Sequence, residues 1–155
     1  MDSPRSLLFR GSIEAVLKKR GDCSPLLLHA DDGYLFFSTP SLHARYGGAG
    51  SGYWQDIQDL FFFTISFGVK NKGYELELWL YGDQDVRKAA LSRVVGREGL
   101  EVLETMKGHE KLYRLPFLTP AQAAKGKADA IQAGLAAFSR FLDEGLPRLE
   151  KALLR

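Results

Sequence analysis

Residues 61–82 read FFFTISFGVKNKGYELELWLYG, and the period of this stretch decides the fold class. Side chains alternate across a strand, so Phe61, Phe63, Ile65, Phe67 and Val69 share one face while Phe62, Thr64, Ser66, Gly68 and Lys70 share the other. Asn71, Lys72 and Gly73 turn the chain. The returning strand then sets Tyr74, Leu76, Leu78 and Leu80 on one face and Glu75, Glu77, Trp79 and Tyr81 on the opposite one. The three consecutive phenylalanines are therefore read as sheet core rather than as an aromatic binding site. Polar residues at every second position predict that the second face is half exposed. On that face Glu75 and Glu77 form a solvent-facing pair balanced by Lys70 and Lys72. The alternative use of two carboxylates so placed is to bind a divalent metal or to share acid and base duties.

Working outward, PLLLHADDGYLFFSTP (25–40) places apolar runs at Leu26–His29 and Tyr34–Phe37 on either side of Asp31, Asp32 and Gly33, which predicts a hairpin. Upstream, Ser3 and Pro4 form an N-cap and first-turn pair. Leu7, Leu8, Ile13, Val16 and Leu17 supply the apolar stripe of a helix that Gly21 stops. PSLHARYGGAGSGY (40–53) is glycine-rich and reads as a connection. Its run from Gly47 to Gly52 lacks the Gly-Lys-Ser/Thr ending of a phosphate-cradling loop.

Downstream, Asp83 caps a helix with Val86, Ala89, Ala90, Val94 and Val95 on one stripe, and a second short helix is expected over Leu100 to Met106. KLYRLPF (111–117) reads as a strand with Pro116 at its end or on an edge. Thr119 and Pro120 start a final helical region in which Ile131, Leu135, Phe138, Leu142, Leu146, Leu149 and Leu153 recur at three- and four-residue steps. Gly145 and Pro147 mark a kink or break in it. The order of elements predicts a single α+β domain over residues 1–155, with an antiparallel sheet of about four to five strands and helices packed mainly on one face.

Composition narrows the function classes. A chain of 155 residues is long enough to bury about two thirds of its unfolded surface without a disulfide or metal staple. The single cysteine, Cys23, suits a reducing cytoplasm, and His29, His43 and His109 are scattered without a nucleophile motif. The N-terminal apolar residues are interrupted by Arg5, Arg10 and Glu14, so neither a signal peptide nor a membrane span is expected there. Net charge is only +2, and the basic residues of 83–107 are balanced by acids, which argues against a dedicated DNA binder.

The helix, the LLHADDGYLFFSTPSLH hairpin, the GSGYW segment, the 61–82 strand pair leading into a helix, and the closing KLYRLPFLTP and FLDEGLPRLEKAL segments together resemble the C-terminal half of uncharacterised PD-(D/E)XK nuclease-like proteins. In that group the catalytic acidic and acidic-x-Lys elements lie in the N-terminal half. No equivalent stands here, since GYELELW carries Glu75 and Glu77 but Leu78 where a lysine would be sought. The resemblance implies a companion domain without nuclease activity: a non-catalytic binding or accessory module of a restriction-like or anti-phage system, or an inhibitor of one, recognising a protein partner or, though the charge does not point to it, a nucleic acid, with no cofactor or metal. The alternative is a metal-dependent hydrolase using Glu75 and Glu77, with Asp56 or Asp59. For a binding module, Tyr53 and Trp54 are the candidate partner anchors, and Arg87, Lys88 and Arg93 the candidate phosphate contacts.

Overall fold

The computed structural model describes residues 3–19, 26–50, 57–68 and 73–155. Gly21, Cys23, Gly52, Tyr53, Trp54, Asp56, the expected strand residues Val69 and Lys70 and the expected turn residues Asn71 and Lys72 lie outside them.

The fold is α+β. Six strands form one antiparallel sheet: β1 (Leu26–Ala30), β2 (Tyr34–Ser38), β3 (Phe61–Phe67), β4 (Tyr74–Tyr81), β5 (Glu104–Met106) and β6 (His109–Leu118), in the order β1-β2-β3-β4-β6-β5. The expected central pair holds over its described residues, from Phe61 opposite Leu80 to Phe67 opposite Tyr74. At its turn, a Cβ on Gly73 would fall 1.8 Å from the Leu118 carbonyl oxygen, so only glycine fits there. The 26–38 hairpin is also present. Asp31 Oδ1 accepts the Gly33 and Tyr34 N–H groups, each at 2.9 Å, which closes its turn.

The helices are α1 (Pro4–Lys19), α2 (Pro40–Tyr46), α3 (Gln84–Val94), α4 (Pro120–Lys125), α5 (Ala128–Arg140) and α6 (Leu146–Leu154). Their buried side chains, among them Phe9, Ile13, Leu42, Val94, Ile131, Phe138 and Leu149, join one core with Phe61, Phe63, Ile65, Leu76 and Leu78. They cover the first face of the sheet, as the apolar stripes require. Ser3 caps α1 by accepting the Ser6 N–H at 3.2 Å. Thr119 and Gln122 form a reciprocal capping box on α4. Gly145 and Pro147 mark not a break but a π-turn, Phe141–Gly145, in which the Leu146 N–H reaches back to Phe141 O. Pro147 has no N–H to give, and the wider turn carries the chain on into α6.

Four expectations need correction. The segment expected as a helix over Leu100 to Met106 holds edge strand β5 instead, because Gly108, at φ 87°, lets Lys107 and Gly108 fold the chain back so that Met106 meets His109. This adds the sixth strand. The connection after Pro40 opens with α2, whose cap is the Thr39 hydroxyl accepting the Leu42 N–H at 3.1 Å, followed by proline in the first turn. On α1 the buried stripe is Phe9, Ile13 and Leu17, while Leu7 and Leu8 are exposed; on α3, Ala90 and Val94 are buried while Val86, Ala89 and Val95 are exposed. The fourth correction concerns the second sheet face, which is buried over β3 and β4. No helix among the described residues is long and apolar enough to cross a membrane.

Candidate functional site: the second face of the sheet

Thr64, Ser66, Glu75, Glu77 and Trp79 are each no more than 4 % exposed, so the half-exposed face expected from the alternation is a second interior. At one end it carries a small apolar cluster of Phe36, Ile57, Phe62, Trp79 and Tyr81. At the other it carries charge. The period-two reading assigns these residues to the right face, but burial is decided by partners that the local pattern does not contain.

Glu75 and Glu77 are held by cations from β6, not by Lys70 and Lys72. Arg114 directs Nε and Nη2 at Oε2 of Glu75, at 2.8 and 2.7 Å. Lys111 Nζ bonds Glu77 and also reaches Glu104 of β5 at 2.9 Å. Each cation works diagonally across the ladder, since Lys111 lies opposite Trp79 and Arg114 opposite Glu77. Lys111 also sits 5.3 Å over the Trp79 ring. Burial pulls the Lys111 ammonium down in pKa, but the hydrogen bonds and charges of Glu77 and Glu104 outweigh it, so the net shift is upward and the group stays charged. Arg114 is likewise raised by its bond to Glu75. Burial, helped by the Glu77 charge, raises the Tyr34 hydroxyl on the same face.

His109 closes this row. Its ring stands edge-on to Trp79 at 4.9 Å and to Tyr81 at 5.3 Å, and burial, aided by the Arg87 charge, lowers its pKa. Glu77, Lys111 and Glu104 thus form a chain of alternating charge from the middle of the sheet to edge strand β5. Chemically, both glutamates are occupied by cations, and among the described residues no three His, Cys, Asp or Glu gather as a metal-ligand group.

The other candidate residues are placed as follows. Arg87 is mostly buried, pairs with Glu110 at 3.2 Å and donates to Gly82 O. Arg93 donates to Leu153 O at 3.0 Å, to Arg155 O at 2.8 Å and to the Tyr46 hydroxyl at 2.7 Å. Arg45 and Arg97 donate to the neighbouring carbonyls of Leu154 and Ala152, and Tyr46 donates to Leu153 O at 2.6 Å. The three arginines complement the negative end of α6. Lys88 is exposed, so the trio does not converge on one outward face. Within the glycine run, Gly48 and Gly50 both donate to Gln58 O, which ties that part of the loop to the chain before β3.

A further pairing absent from the sequence reading is His43 Nδ1 with Asp59 Oδ2 at 2.7 Å, with Asp59 buried and His43 half exposed. It fastens the end of α2 to the chain before β3, beside the Gly47–Asp59 bridge. A separation of 16 residues across a glycine loop carries no periodic signal. Comparison with protein-family models, with characterised proteins and with solved structures finds no match for this chain.

Proposed function

We propose that the chain is a non-catalytic binding module whose partner is a protein, acting as an accessory domain of a restriction-like or anti-phage system or as an inhibitor of one. The observation that carries this reading is the state of Glu75 and Glu77. Carboxylates that served a metal would be free to converge on an ion, whereas these are buried in ion pairs with Arg114 and Lys111 inside the sheet. A cytoplasmic setting belongs to the same proposal and rests on the lone cysteine. Tyr53 and Trp54 remain the proposed anchors, since large aromatics dominate binding energy at protein interfaces.

Two measurements test the reading. Incubated with DNA and Mg²⁺ or Mn²⁺, the purified protein should leave the DNA intact. Metal-dependent cleavage that Glu75→Gln and Glu77→Gln abolish would establish the hydrolase alternative instead. In capture from the native cell followed by reconstitution with the purified partner, Trp54→Ala should weaken the complex by about 2 kcal/mol, or some thirtyfold. A complex indifferent to this change would move the interface elsewhere.

A further inference from the structure

The π-turn Phe141–Gly145 does more than accommodate Pro147. In an α-helix a residue eight positions on stands about 80° round the axis, so Arg140 and Arg148 would face apart. The one extra residue taken up by the π-turn offsets roughly that angle, and both side chains line one groove between this helical segment and β6. Turns of this kind recur at functional sites. The groove has a volume of about 160 Å³, and Leu115, Ala137 and Phe141 give it an apolar lining. Tyr113 enters it from β6, half-buried with its ring 6.0 Å from that of Phe141. Among the described residues the Tyr113 hydroxyl has no hydrogen-bond partner, and neither arginine pairs with a carboxylate. Arg148 commits only Nε, to Glu144 O at 3.3 Å, which leaves its two terminal amino groups for a ligand. Burial raises the Tyr113 hydroxyl in pKa more than the Arg148 charge lowers it. The rim acids Glu98 and Glu144 do not contribute, so the field at that hydroxyl is positive.

A fork of two amino groups, a hydroxyl donor beside it and a short apolar lining complement a carboxylate carried on one apolar residue. A site that encloses a whole small molecule measures about 300–1,000 Å³, so this smaller groove takes one end of a longer ligand. Resting on the binding-module reading, we propose that the groove captures the C-terminal residue of the partner protein. The Arg148 guanidinium and the Tyr113 hydroxyl bind its α-carboxylate, with Arg140 at the rim, and its apolar side chain packs on Leu115 and Phe141. Glu144, between the two arginines, opposes the carboxylate. It limits the affinity and rejects a terminus whose last side chain is acidic.

The test is a titration of ¹⁵N-labelled protein with an N-acetylated alanine peptide ending in leucine, as the free acid and as the C-terminal amide. Amide shifts should centre on residues 113–115 and 144–148 and appear with the free acid alone. Arg148→Gln should weaken binding about tenfold or more, the effect of a charged hydrogen bond, and Tyr113→Phe about fivefold, that of a neutral one. Since the hydroxyl has no partner among the described residues, Tyr113→Phe should leave the unfolding midpoint unchanged. Glu144→Gln should tighten binding severalfold. Arg148 and Glu144 are both exposed, so neither variant disturbs the core. An equal response to the amidated peptide, or undiminished binding by both Arg148→Gln and Tyr113→Phe, would overturn the proposal. So would displacement of the peptide by inorganic phosphate at equal concentration, which would assign the arginines to a phosphate group. Failure of the free-acid peptide with an intact natural complex removes the groove assignment alone; metal-dependent DNA cleavage removes the module reading itself.

Discussion

At Lys111 three opposing requirements meet: it is almost fully buried, it carries charge, and it bridges two carboxylates. Removing it leaves Glu77 as an uncompensated charge at the centre of the sheet, so Lys111→Met should destabilise by about 3–5 kcal/mol in urea unfolding. The double variant Glu77→Gln with Lys111→Met should recover most of that loss, because a buried pair replaced as a unit is often close to neutral. A double variant no better than the single one would mean that the lysine acts mainly through Glu104 or Trp79. His109 gives a pH signature of defined sign. Its folded pKa lies below its ordinary value of about 6.5, so protonation favours the unfolded chain. Stability should hold above pH 6.5 and fall as pH drops from there toward the folded value, and His109→Phe should flatten that slope. The faces of Glu75 and Glu77 were legible from alternation, but their burial was not: Arg114 stands 39 residues from Glu75 along the chain, and no local pattern links them.

Among the elements, α2 shows how caps outweigh composition. A segment read as glycine-rich connection is helical because Thr39 and Pro40 satisfy its first turn, and so Thr39→Ala should cost about 1 kcal/mol in thermal or urea unfolding. An unchanged midpoint would place the stability of α2 in Leu42 and Tyr46, its buried pair. The opposite error occurred at residues 100–106. Leu100, Leu103 and Met106 recur at three-residue steps that a helix would use, yet Gly99 and Gly108, both at positive φ, bracket the segment and fold it into a hairpin. The period was too short to outvote its flanks. Where the pattern was long it held: from Ile131 to Leu153 every expected apolar position of the last helical region is buried or partly buried, through the π-turn included.

For the molecule as a whole, alternation and helical stripes were enough to give an antiparallel sheet with helices on one face. They could not give the closure of the chain upon itself, which depends on groups far apart in sequence. The hydroxyl of Tyr46 and the carbonyl of Leu153 are 107 residues apart, and Arg93 reaches Leu153 across 60. Such contacts demand that a long loop be closed before they return any stabilisation, so they form after the local hairpins and helices. The arginine clamp on α6 is therefore expected to form beyond the folding barrier. Arg93→Ala should raise the unfolding rate by about tenfold for a loss near 1.4 kcal/mol and leave the folding rate nearly unchanged in stopped-flow chevrons, whereas a slowed folding arm would put α6 docking in the nucleus. On this account the grip of Arg93 and Tyr46 on the last turn governs how long the folded state lives rather than how fast it is reached.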